Sequence, residues 1–360
     1  MMSVVIAPAF EEFAMSRRGP IVVAFLTFAF VLALIMTASI NTFAQSPGPR
    51  FGVIDRLDPR FDSLIAIDAK LEKLADGFEW SEGPLWLRDE KALLFSDIPR
   101  NSVMRWKEGE AAKLFFTPSG YTGSAPFTGI EPGSNGLIRD PQDRLVLCQH
   151  GDRRIARREA DGAFTTLADR YDGRRLNSPN DGVYKSNGDL YFTDPPYGLP
   201  LREKDPGREL DFFGVYRLAP DGTLTLLTKE MTRPNGIAFS PDETLLYVAQ
   251  SDPDAALWKV FDVKADGTLG PGRLFFDATA WAKAGRPGLP DGMKVERGGN
   301  IFATGPGGVH VFSPDGKHLG TIDTGERTAN CAWGNDGSTL YITADMYLCR
   351  IKTLTRGAGW

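Results

Sequence analysis

The chain has 360 residues, with 41 basic and 46 acidic side chains and a net charge of −5. That balance excludes a basic nucleic-acid-binding surface, and 42% hydrophobic with 24% charged residues is the composition of a folded chain, not a disordered one. The 39 glycines and 25 prolines exceed the ~7% and ~5% of average chains and call for many turns, hence many short strands.

The first predicted element is an uncharged, mostly apolar run from Ile21 to Ile40, preceded by Arg17 and Arg18 and followed by Thr42-Phe43-Ala44. Residues 1–44 are therefore expected to be a cleaved export signal. The alternative is an uncleaved N-terminal anchor, because ~20 apolar residues also span a bilayer. Either reading puts the rest of the chain in the periplasm or the medium, with membrane contact only in the anchored form. Residues 45–60, rich in Pro, Arg and Asp, read as a linker.

Six repeats fill residues 61–360. They start at Glu82, Asn135, Asn180, Asn235, Asp291 and Asn330, at spacings of 53, 45, 55, 56 and 39 residues. Each start leads through a polar turn into a β-prone stretch, such as Leu93-Leu94-Phe95, Leu245-Leu246-Tyr247-Val248 or Leu340-Tyr341-Ile342. Asp-Gly turns follow at Asp161-Gly162, Asp221-Gly222, Asp266-Gly267 and Asp315-Gly316. The period matches a four-stranded propeller blade, and no helical periodicity competes with it. The fold expected is all-β, a six-bladed β-propeller whose last blade is completed by a strand near Ser63–Leu74.

Innermost strands of a propeller line a central channel, so equivalent starts form a ring of oxygen-bearing side chains. A second set follows 14 to 16 residues later, at Asp97, His150, Asp194, Ser251, Gly305 and Asp345. Antiparallel strands joined by a turn return to the same end, which places this set at the same channel mouth. For any one repeat, Asn-Gly or Asp-Gly is also a plain turn former. Taken together, two carboxylates and several amide carbonyls describe a central site for a hard divalent cation. Ca2+ fits best, with other divalent cations as alternatives. Cys148, Cys331 and Cys349 have no zinc-like spacing, and Cys148 and Cys331 read as small buried hydrophobes. His310 and His318 read as surface residues.

Four start segments, Ser81-Glu82-Gly83-Pro84, Ser178-Pro179-Asn180-Asp181-Gly182, Arg233-Pro234-Asn235-Gly236-Ile237-Ala238-Phe239-Ser240 and Pro290-Asp291-Gly292-Met293, resemble the gluconolactonase/regucalcin family. Thr193-Asp194-Pro195-Pro196-Tyr197-Gly198 is similar to its bacterial gluconolactonase branch. The regucalcin-like branch carries Arg two residues before the second motif's Asn, where this chain has Ser178. The resemblance implies that Glu82, Asn180, Asn235 and Asp291 hold the metal and that the substrate is a lactone, first of all a sugar lactone such as gluconolactone. Water is the expected nucleophile, since no Gly-x-Ser-x-Gly elbow is present. Asp291 is the first candidate for general base and His150 the second. Asn135, Asp181, Asp194 and Tyr197 are expected to bind substrate or orient the ligands. Two alternatives stay open. One is a paraoxonase-like hydrolase of aromatic lactones or esters, with Trp80, Trp86, Tyr121, Phe127 and Tyr197 as its pocket. The other is a non-enzymatic exported scaffold stapled by calcium.

Overall fold

The computed structural model describes residues 51–360; the export signal or anchor expected over residues 1–44 lies outside the described residues. Six antiparallel sheets follow one another in chain order, each beginning with its innermost strand: Ser81–Leu87, Ser134–Arg139, Gly182–Tyr184, Pro234–Phe239, Met293–Val295 and Thr328–Gly334. Each inner strand packs on the next, and the sixth packs on the first, closing a six-bladed ring.

The second strand of each blade is sandwiched between neighbouring blades. Ala92–Asp97 and Thr339–Ala344 are accordingly buried at every residue. The outermost strand Lys113–Phe116 is mostly exposed. Apolar clusters sit at each of the six blade interfaces, for example Phe95 and Trp106 of blade one against Tyr341 and Leu348 of blade six. Burial of these faces between blades is what orients the ring.

Blade six supplies three strands of its own, and Glu72–Ala75 pairs with Tyr347–Lys352 as the fourth. This is the closing strand expected near Ser63–Leu74. The preceding segment departs from its expectation as a linker. Val53–Arg56 pairs with His318–Asp323 as a fifth strand of blade five, and Phe61 is fully buried at the interface of blades five and six. His310 also departs from its reading as a surface residue. It lies on the third strand of blade five, fully buried, with its ring 4.7 Å from that of Trp281 on the short helix Thr279–Lys283. Third strands are still covered by the adjacent blade, so the position is interior. His318 is half-buried beside it.

Candidate functional site

The ring residues sit where the inner strands are irregular. The pairing register shifts just after Glu82, across Ser134–Leu137, across Pro234–Ile237 and across Thr328–Asn330. Such bulges re-aim a side chain out of the alternating pattern. Glycine follows at Gly83, Gly136, Gly236 and Gly292, and these are not turn positions. A Cβ on Gly236 would collide with the Asp291 carbonyl, and one on Gly292 with the Asn330 side chain. The Gly136 N–H donates to the Asn180 carbonyl at 2.8 Å. Missing Cβ atoms let adjacent inner strands touch, which gathers the ring side chains around a narrow shaft.

Glu82, Asn135, Asn180, Asn235 and Asp291 form the floor of a cavity of about 830 Å3. The first four are at most 4% exposed, and Asp291 is half-buried. Asn135 Oδ1, Asn180 Oδ1, Asn235 Oδ1 and Asp291 Oδ1 are buried with no hydrogen-bond partner. Buried polar atoms are rarely left so, and four at one floor could together hold a cation. Electrostatics agree. Burial, and then the charge of Asp181, push the Glu82 carboxyl up to about 8. Burial, followed by the charges of Glu82 and Asp181, raises Asp291 well above the usual range. A divalent cation would relieve both. Among the described residues no three His, Cys, Asp or Glu side chains group as metal ligands. The donor set is instead one of amides and carboxylates, and it fits a hard cation that takes neutral oxygens.

The amide nitrogens are held away from the cavity. Asn235 Nδ2 donates to Ser251 Oγ at 2.8 Å, and Asn180 Nδ2 lies 3.4 Å from His150 Nε2. His150 is fully buried behind Asn180 and is not part of the cavity wall. Asp194 is likewise behind the wall. Its carboxylate accepts the backbone N–H groups of Asn177 at 2.8 Å and Ser178 at 2.7 Å, pinning the loop that delivers Asn180. Burial raises its carboxyl to about 7, against the pull of those bonds. Asp97 does the same for blade one, accepting the N–H groups of Glu79 and Trp80 at 3.1 and 3.2 Å.

Tyr197 does line the cavity, donating its hydroxyl to the Ser251 carbonyl at 3.3 Å. Asp181 and Asn330 do not. They lie farther along the shaft, at a second opening shared with Lys294, where Asn330 Nδ2 reaches Glu82 Oε2 at 3.2 Å. Of the aromatic residues considered for an apolar pocket, Trp80 and Tyr197 line the cavity. Trp86 stacks on Tyr341 near the second opening, and Tyr121 packs on Phe127 with ring centroids 5.2 Å apart. Glu79, Glu131, Arg202, Arg286 and Arg327 also line the cavity and escaped the sequence reading. They sit on connections of irregular length, outside the repeat register. The only signal for Glu131 was its place in the Pro- and Gly-rich stretch between blades one and two.

A family model described as SMP-30/Gluconolactonase/LRE-like region matches residues 80–345. A gluconolactonase of Zymomonas mobilis is 37% identical over 337 residues, covering 91% of this chain and 95% of the relative. The solved structure of a gluconolactonase from Xanthomonas campestris superposes with a TM-score of 0.73 at 34% identity, covering 86% of this chain and 99% of that one. A calcium-binding protein, regucalcin, from Agrobacterium tumefaciens shares the fold at 19% identity, with a TM-score of 0.60 and coverage of 79% and 92%.

Proposed function

Because the chain belongs to the SMP-30/gluconolactonase/LRE-like family, we propose that it hydrolyses a sugar lactone of the gluconolactone kind at the floor of the large cavity. The observation that carries this reading is the set of four buried, unpartnered oxygens on Asn135, Asn180, Asn235 and Asp291. Glu82, Asn180, Asn235 and Asp291 would hold a divalent cation, Ca2+, with Asn135 beside them. The calcium-binding regucalcin that shares the fold supports that choice. When bound, the cation polarises the lactone carbonyl and offsets the negative charge that develops on its oxygen.

The chain's own groups do the rest. Glu79, Glu131, Arg202, Arg286 and Arg327 offer donors and acceptors around the wall, as a polyhydroxylated ring requires. Asp291 presents an unpartnered carboxylate oxygen to the cavity and accepts the proton of the attacking water. The same proton then goes to the ring oxygen as the ester bond opens, giving a hydroxy acid. His150, behind Asn180, has no such access. The aromatic-lactone alternative loses support because Trp86, Tyr121 and Phe127 do not line the cavity. The test is a panel of sugar lactones and aromatic lactones, with and without chelator. Turnover of sugar lactones that disappears in chelator and returns with calcium is the expected result. A preference for aromatic lactones would favour the paraoxonase-like reading, and no turnover at all the scaffold.

The apolar run 21–40 supports export of the chain to the periplasm or the medium. Mass spectrometry of the exported product is expected to show Gln45 as its first residue; an intact Met15 would support the anchor.

A further inference from the structure

We propose that Glu131 and His150 are positioning residues that decide which end of the Asn180 amide faces the cavity. This rests on the reading of Asn180 as a cation ligand. An amide is nearly symmetric in shape, but only its oxygen can serve a cation; the NH2 end would repel one. Something must therefore fix its orientation.

His150 Nδ1 lies 3.1 Å from Glu131 Oε2, and His150 Nε2 lies 3.4 Å from Asn180 Nδ2. The Nδ1–Oε2 contact is close, although the ring N–H is off the line to the oxygen, since Nδ1 counts as unpartnered by direction. A carboxylate only accepts, so it draws the ring proton to Nδ1. Nε2 then presents a lone pair, and only the NH2 end of Asn180 can meet it. Asn180 Oδ1 is left facing the cavity without a partner.

The same logic recurs independently at Asn235. Ser251 Oγ donates its proton to the Pro290 carbonyl, so it can only accept from Asn235 Nδ2, at 2.8 Å. That leaves Asn235 Oδ1 turned into the cavity and unpartnered. His150 and Ser251 occupy equivalent places at the ends of second strands, one an imidazole and one a hydroxyl, each with its proton committed elsewhere.

The test is calcium binding to the purified chain, measured by competition with a chelating dye, without reference to turnover. His150→Leu removes the acceptor and should weaken calcium binding ~10-fold or more. His150→Gln, whose carbonyl can accept from Asn180 Nδ2, should recover most of that loss. In an Asn180→Asp background both ends of the side chain are oxygens, so orientation no longer matters. There His150→Leu should change affinity less than about twofold, well short of the ~10-fold above. Equal losses with and without the Asn180→Asp substitution would mean that His150 merely packs, and would overturn the proposal. If His150→Leu does not fold, as judged by thermal denaturation of the metal-free chain, His150→Met, which also lacks an acceptor nitrogen, replaces it in the same cycle with the same two outcomes. A wild-type chain that takes up no calcium overturns the cation reading and the proposal together. Equal losses with normal wild-type binding overturn the proposal alone.

Discussion

Replacing Asp291 by Asn keeps a carbonyl oxygen for a cation but removes the group that accepts a proton. With Glu82 still present, calcium should bind more weakly yet still bind. At saturating calcium, turnover is expected to fall by at least ~10²; near-normal turnover would move the base to another residue. Asn135 carries a comparable expectation. Its buried Oδ1 is as unpartnered as those of Asn180 and Asn235, so Asn135→Ala should weaken calcium binding as Asn235→Ala does, measured by titration. The ring was legible in the sequence because every member sits at the same register of a repeat. Its finer division was not. Nothing in the sequence says that Asn330 drops to the second opening, since side-chain direction after a bulge is set by the neighbouring strands. Glu131 and Arg202 were illegible for a related reason: connections between blades vary in length and carry no register. His310 was misread because a polar residue in a third strand looks exposed until the neighbouring blade covers it.

Single elements depend on how closely inner strands approach. At Gly236 an added methyl group meets the Asp291 carbonyl, which is backbone and cannot turn aside. Gly236→Ala should destabilise by ~1–3 kcal/mol through overpacking and widen the shaft at the ring. The expected signs are a lower Tm and a weaker calcium affinity in the same variant; a lower Tm with unchanged affinity would uncouple glycine packing from the ring. The Asn-Gly pairs thus mark the starts of inner strands, as read from the sequence, while the turn-forming property of such pairs is not what they are used for here. Strand content was legible because β-prone stretches recur at fixed distance from each start. Val53–Arg56 was not, since a four-residue edge strand with one apolar and one charged residue on each face looks like linker.

At the scale of the whole ring, pH acts on stability both through the carboxyls that a cation would relieve and through a histidine far from them. Burial, and then the neighbouring His318, lower His310 from 6.5 to about 3. Between those values the unfolded chain binds a proton that the folded chain refuses, so the contribution of His310 falls as pH drops below about 6.5 and is unchanged above it. By pH 4 the loss from this residue alone reaches roughly 3 kcal/mol. The raised carboxyls of Glu82 and Asp194 act in the opposite sense over the same range, so the comparison is with His310→Phe: by urea denaturation at pH 7.5 and 4.5 the variant should lose less stability on acidification, or gain more, than the wild type. Removing calcium should lower Tm at neutral pH, where His310 is silent, because an ion bound only by the fold adds about 3 kcal/mol at a hundred times its dissociation constant. A Tm indifferent to chelator would show that the ring needs no ion to hold its blades.

The strand that completes blade six also dictates when the ring can form. Glu72 pairs with Arg350, 278 residues away in the chain. Blades one to four and the four inner strands of blade five are assembled from neighbours in sequence, so their hairpins gain contacts at little cost in chain entropy. The seam must close nearly the whole chain into a loop before it returns any contact. A nascent chain cannot make it until residue 350 has been synthesised, and the shaft has only an incomplete wall until then. The seam is therefore expected to be absent from the folding transition state. Weakening it, for example by Lys73→Pro, should speed unfolding while leaving the refolding rate nearly unchanged. The lifetime of the closed ring, more than its rate of assembly, is set where the N-terminal strands Val53–Arg56 and Glu72–Ala75 meet the last two blades.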